Sequence, residues 1–287
     1  MINDNFTQYH DNGAVAYSGM YTKGKKEGKF TVYRDNGIIY KESYYVNNHK
    51  NGIERIYTDV NGSLSDTIEY KNNKKNGWHE QYTFSSENPT TRGYYVDNIA
   101  NGRWEEYRIG ILRLAGNMLN GEQNGVWINY NTKGDIEIIM NYKQGQLDGE
   151  YIIYNAEGDI KAIKNYKKGQ LDGKYISYNS DSYTIYEYIN NKIEGVARTY
   201  SNNDNKILQE ETYENDMLNG LTTTYLYTDN HKKIINSRRI YINNLMTSRE
   251  EIYYDNENNT KDTIHYKYDS NEKVIQKNII TSRIDAE

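Results

Sequence analysis

The side chains of this chain that could do chemistry are its histidines, carboxylates and hydroxyls, and their spacing joins none of them into a reacting set. His10, His49, His79, His231 and His265 are scattered and show no metal-ligand spacing. Cysteine is absent, which excludes disulfides and thiolate metal sites. Carboxylates fall as exposed singles, and Glu105-Glu106 beside Trp104 reads as a solvated strand. No serine stands in a nucleophile-elbow context, and no glycine run follows a strand to open a helix, so covalent catalysis and phosphate cradling lack support. The sequence therefore predicts no catalytic residue, no metal and no cofactor; the chain is expected not to be an enzyme.

Binding chemistry remains. Trp78, Trp104 and Trp127 are the three tryptophans of the chain, and tryptophan is a favoured anchor at protein interfaces. Glu80, Glu105 and Glu106 supply carboxylates beside them. A second candidate is an apolar series, Leu147, Leu171, Ile193 and Leu218, continued at Met246, at a position held earlier by Lys26, Lys50 and Lys75. This series reads either as loop tips packing on one another or as an exposed apolar ridge for a partner. The lysines, with Lys25 and Lys74, read as solvated loop residues or as a contact for anionic lipid.

These positions recur because the chain repeats. Tyr142-Lys-Gln-Gly-Gln-Leu-Asp-Gly-Glu-Tyr-Ile-Ile-Tyr154 returns 24 residues later as Tyr166-Lys-Lys-Gly-Gln-Leu-Asp-Gly-Lys-Tyr-Ile-Ser-Tyr178. The same register is set by Gly28, Gly52, Gly77, Gly102, Gly125, Gly149, Gly173, Gly195 and Gly220, at intervals of 22 to 25 residues. A tyrosine stands five residues after every one of these glycines, and seven residues before stands a tyrosine or, once, Met118. Asn or Asp immediately precedes seven of the nine glycines, a strong hairpin signal because tight turns need positive φ. Four residues before each glycine is another tolerant residue, such as Gly24, Asn48 or Asp216. A short loop bounded by these two positions is expected, with a second turn after each closing tyrosine, as at 35–37, 60–62 and 156–158. Each unit then reads strand, turn, strand, tight loop. Alternation along a strand puts the first, third and fifth residues after each glycine on one face and the second and fourth on the other. Trp78 should thus oppose Trp104 and Trp127.

This register resembles the MORN repeats, in the variant found in antitoxin-type proteins of bacterial toxin–antitoxin operons. There a tyrosine, a short Gly- or Asn-containing loop, a glycine, an aromatic two residues on and a tyrosine five residues on make the unit. The match covers residues 6 to 253. It departs at Met118, at the weak second-position residues of the third and last copies, and in a tenth copy with Tyr241 and Tyr253 in register but Ser248 for the glycine. The resemblance implies an all-β fold without significant helix: an elongated, twisted antiparallel sheet of successive hairpins.

A single repeat domain over 1–287 is expected, with an N-terminal cap at 1–20, nine repeats over 21–228, and a degenerate repeat with capping hairpins over 229–287, turned at 255–259 and 269–272. Charged Arg249, Glu250, Glu251, Lys261 and Lys273 are expected to blunt an exposed edge strand. The 32 tyrosines and 13% aromatic content would support a thin core despite a mean hydropathy of −1.01. A net charge of −5 disfavours nucleic acid and weakens a membrane role. With no basic n-region followed by an apolar run near Met1 and no apolar stretch of spanning length, a cytoplasmic protein is the default. The function expected is protein binding: an antitoxin, immunity or phage-type inhibitor whose acidic, aromatic surface occludes a partner enzyme, perhaps a nuclease. A scaffold or membrane-surface tether that forms a homo-oligomer is the alternative.

Overall fold

The structure is a computed structural model that describes residues 3–59, 62–83, 88–227, 233–255 and 260–283. The expected turns at 60–62 and 255–259, and His231, fall wholly or in part outside these residues. The fold is all-β: 25 strands in one antiparallel sheet, with no helix among the described residues. The chain divides into two compact units, Met1–Gln146 and Leu147–Glu287. Each is a run of hairpins in which a strand pairs with the next in sequence, as Lys25–Tyr33 does with Ile39–Val46 in the first unit and Gln170–Tyr178 with Ser182–Ile189 in the second.

The tight turn lies elsewhere than the Asn-Gly signature suggests. Its two central residues stand five and four positions before each repeat glycine: Asn72 and Asn73 have φ of 52° and 67°, and Lys168 and Gly169 have 50° and 80°. Positive φ at both is the type I′ arrangement, whose twist matches that of the strands it joins. The repeat glycine itself, such as Gly77 at φ 125°, sits inside the returning strand where the register shifts, between the pairs Ile68–His79 and Tyr70–Lys75. It is a bulge residue. Bulge and turn both call for left-handed backbone, so the residue types alone do not distinguish them. In the tenth copy Ser248 adopts no positive φ and Leu245–Asp255 runs on as an 11-residue strand. The second turns match expectation: Arg34 N–H bonds Ile38 O at 2.8 Å around Gly37 at φ 81°, and Asn155 closes on Asp159 at 2.9 Å.

Successive tight turns are tied together. Asn73 N–H donates to Lys50 O at 3.0 Å, while its side-chain oxygen accepts from Lys50 N–H at 2.6 Å. The same bracket joins Asn48 to Lys26, Asn98 to Lys75, Asn191 to Leu171, Asp216 to Ile193 and Asn244 to Leu218. Where the turn residue is Gly121, Gly145 or Gly169, the backbone bond remains. These bonds satisfy backbone groups that the bulge leaves outside the ladder.

A core forms on each sheet face from residues aligned across the strands. On one face Phe30 opposes Ser43, Glu54 opposes Ile68, Ile68 opposes His79, and Trp104 lies between Gly93 and Gly116. Ring size and partner size are reciprocal. Phe30, Trp104 and Trp127 each cover a glycine (Gly19, Gly93, Gly116) on which a β-carbon would overlap the ring, whereas Ala197 lies alongside the larger Tyr186. Glu54, which stands where other copies have an aromatic, is 4% exposed and is held by Ser43 Oγ at 2.6 Å and by Lys50.

The charges expected to guard an edge do not lie at one. Arg249, Glu250 and Glu251 belong to Leu245–Asp255, which pairs on both sides, and Lys261 to Thr260–Tyr268, likewise paired on both sides. Arg238 and Glu250 instead face one another across adjacent strands. The last described strand, Val274–Arg283, pairs on one side only and exposes Val274, Ile275, Ile279 and Ile280. Its turn, Asp269 N–H to Lys273 O at 3.0 Å, falls where expected.

Candidate interaction surface

The bulges fix which predicted residues meet. In the unit Met1–Gln146, one face carries a continuous row of opposed residues: Thr31, Glu42, Arg55, Thr67, Glu80, Arg92, Glu105, Ala115, Ile128 and Ile139. The unit Leu147–Glu287 carries its own: Ile152, Ile163, Ile176 and Ile185, then Arg198, Glu210, Thr223, Arg238 and Glu250. Opposite charges on neighbouring strands are favourable cross-strand pairs, so within each unit a charge-alternating stretch adjoins an aliphatic one.

Trp78, Glu80 and Glu105 come together on this face, with Arg92 as their common neighbour. The Arg92 guanidinium stands over the Trp78 ring at 4.8 Å, and Tyr94 meets the same ring edge-on at 5.5 Å. Arg92 donates to Glu105, which is 7% exposed and also accepts from Arg103 Nε at 3.0 Å and the Tyr107 hydroxyl at 2.8 Å. Burial pushes the Glu105 carboxyl up, but the bonds from Tyr107, Arg92 and Arg103 outweigh it and hold the group below its ordinary value. Glu80 accepts from Thr67 Oγ1 and the Tyr82 hydroxyl, each at 2.9 Å. A similar knot joins Lys29 and the Tyr57 hydroxyl to Glu42, whose burial is again outweighed by those donors. Two of the three carboxylates expected to give an acidic docking surface are thus spent on partners within the sheet. Sequence reasoning missed Arg92, Arg103 and Tyr107, because Arg92 and Glu105 meet through a pairing 13 residues apart that depends on the bulge register.

Trp104, Glu106 and Trp127 occupy the other face. Trp104 Nε1 donates to Glu106 at 3.1 Å, and both stay partly open to solvent. Trp127 is 1% exposed, with Nε1 donating to Asn117 O at 3.1 Å. It is a core residue and offers no anchor.

Leu147, Leu171, Ile193 and Leu218 are strand residues, not loop tips, and each is half-buried. Leu171 opposes Tyr166, Ile193 opposes Tyr188 and Leu218 opposes Tyr213, so these side chains cover the opening tyrosine of their own hairpin. The lysines at the same position do likewise: Lys50 stands over Tyr70 at 4.5 Å and Lys75 over Tyr95 at 5.2 Å, cation–π contacts that replace the aliphatic packing. An exposed apolar ridge is therefore absent from this position. Among the described residues, no group of three or more His, Asp or Glu side chains could hold a metal ion, and no helix is long and apolar enough to cross a membrane.

No known family's sequence profile matches the chain, and no curated protein matches it in sequence. A solved structure described as "Crystal Structure of TcdB2-TccC3-TEV" aligns with 95% of this chain at 11% identity, with a TM-score of 0.15. The chain spans 16% of the length of that protein. A likeness of that size defines neither family nor function.

Proposed function

We propose that this chain is a non-catalytic repeat module of MORN type that binds a protein, acting as an antitoxin- or immunity-type inhibitor that covers a partner enzyme in the cytoplasm. The observation that carries the reading is the Trp78–Arg92–Tyr94 cluster: a half-buried indole held between a guanidinium and a second ring on a sheet face. Tryptophan, tyrosine and arginine are the residue types that dominate binding energy at interfaces, and here their rotamers are fixed before any partner arrives, which lowers the entropy cost of docking. The carboxylates of that face are internally neutralised, so recognition rests on the aromatic–arginine cluster more than on acidic attraction to a basic site.

Affinity capture from the native host with Trp78→Ala tests this. The parent should retain one stoichiometric partner, and the variant should lose it while unfolding at the same denaturant midpoint. If Trp78→Ala retains the partner but Leu171→Asp releases it, the face is misassigned. Sedimentation with anionic vesicles at physiological salt would instead favour the tether.

A further inference from the structure

We propose that the Thr222–Arg239–Arg249 row in the unit Leu147–Glu287 is an oxyanion site shaped for a phosphate group. Thr222 opposes Arg239, and Arg239 opposes Arg249, on three adjacent strands. Like charges set directly opposite one another in a sheet repel, and nothing in the fold answers this pair. Among the described residues Arg239 has no carboxylate partner; Arg249 has Glu251, two residues along its own strand. Arg238, next in sequence but on the other face, is by contrast matched to Glu250 at 3.4 Å.

The donors of this row are also unsatisfied. Four buried side-chain nitrogen or oxygen atoms among the described residues lack a hydrogen-bond partner, and two of them, Thr222 Oγ1 and Arg249 Nε, flank Arg239. Thr222 is 3% exposed, so its hydroxyl has little recourse to bulk water. Buried polar groups are nearly always paired, and an orphan marks strain or an unfilled ligand position. Beside the arginines lies a depression of about 360 Å³, lined by Thr224, Asn236, Ser237, Arg239, Arg249 and Glu251 among others. One strand beyond Arg249, Lys277 stands over Tyr266 at 5.4 Å and adds a third cation.

The acids nearby do not cancel this field. Glu251 is held by Arg249 and by the Tyr253 hydroxyl at 3.3 Å, and Glu211, beyond Thr222, accepts from the Tyr213 hydroxyl at 3.2 Å. Two guanidinium forks approach from neighbouring strands, and the hydroxyls of Thr224 and Ser237, 2.8 Å apart, supply a further donor at the rim. Donors from several directions suit a tetrahedral oxyanion better than a planar carboxylate. This inference stands independently of the partner-binding surface, which lies in the other unit.

The test uses the full chain, with inorganic phosphate, acetate and chloride compared at matched ionic strength by thermal unfolding and by titration calorimetry. Phosphate should bind saturably at one site and raise the unfolding midpoint above that in chloride. Arg239→Gln should weaken phosphate binding about tenfold or more, as loss of a charge-assisted fork does. The same variant should unfold in chloride at or above the parent's midpoint, because it removes a repulsion. Arg239→Lys keeps the charge and loses the fork; it should bind phosphate more weakly with an unchanged midpoint in chloride. The proposal is overturned if chloride or acetate does as well as phosphate, if either variant binds phosphate like the parent, or if Arg239→Gln unfolds earlier in chloride.

Discussion

Gly116→Ala isolates the reciprocal packing that sets the core. Gly116 does not need left-handed backbone, so an alanine there loses nothing in φ/ψ and gains about 0.4–1 kcal/mol by restricting the unfolded chain. Against this, the new β-carbon overlaps the six-membered and five-membered rings of Trp127 where they join. The indole cannot simply swing away: it is 1% exposed and pinned by its bond to Asn117 O at 3.1 Å. Overpacking of this kind costs about 1–3 kcal/mol, and the net expectation is a loss of roughly 0.5–2.5 kcal/mol once the backbone gain is subtracted. Trp127→Phe removes ring volume at the same point, so Gly116→Ala should cost less in that background than in the parent. The coupling between the two should reach about 1 kcal/mol, well above the 0.3–0.5 kcal/mol scatter of independent sites. Urea unfolding followed by far-ultraviolet circular dichroism gives the four midpoints of the cycle. Additive effects, or a Gly116→Ala midpoint equal to the parent's, would refute the reciprocity.

Three further outcomes follow from the contacts described. Arg92→Ala should destabilise the unit Met1–Gln146 by about 1–2 kcal/mol, less than the roughly 3–5 of a fully buried pair because the arginine side chain is 36% exposed; denaturant midpoints check it. Asn73→Ala removes both the side-chain bond to Lys50 N–H and a residue tolerant of φ 67°, and should cost about 1–2 kcal/mol; Asn73→Gly, which keeps the turn, should cost less in the same assay. Glu42, Glu105 and Glu210 have carboxyls held below their ordinary value, the first two by donors that outweigh burial and the third chiefly by the Tyr225 hydroxyl. Their folded pKa lies below the unfolded one, so their stabilisation is complete above the ordinary carboxylate range of about 4.3 and is lost as pH falls through the lowered values. A Glu105→Gln variant should therefore show a shallower loss of stability below about pH 4.3 than the parent.

The hairpin architecture was legible because tyrosine and glycine recur in one register, and alternation alone placed Trp78 opposite Trp104. The reading went astray where two backbone features share a residue preference. Asn-Gly suits a type I′ turn and a bulge equally, and taking the bulge glycine for the turn moved Leu147, Leu171, Ile193 and Leu218 from strand to loop tip. The Arg92–Glu105 pairing stayed hidden for the same reason, since it needs the register after the bulge. One signal was present and unused: glycine 11 residues before Phe30, Trp104 and Trp127, and tyrosine 11 before Ala197, encode the packing partners in sequence.

That 11-residue spacing is shorter than the 22–25-residue unit, so partner and ring are copied together whenever a unit is duplicated. The twin segments around Lys164 and Tyr175 bear the mark of such an event, with both members of their pair inside one copy. Length can therefore change in whole-unit steps by unequal recombination without orphaning a side chain, whereas a break that parts the two members of a pair leaves a ring against the wrong neighbour. Natural variants of this chain should differ by about two dozen residues at a time, with their junctions confined to the surface turns.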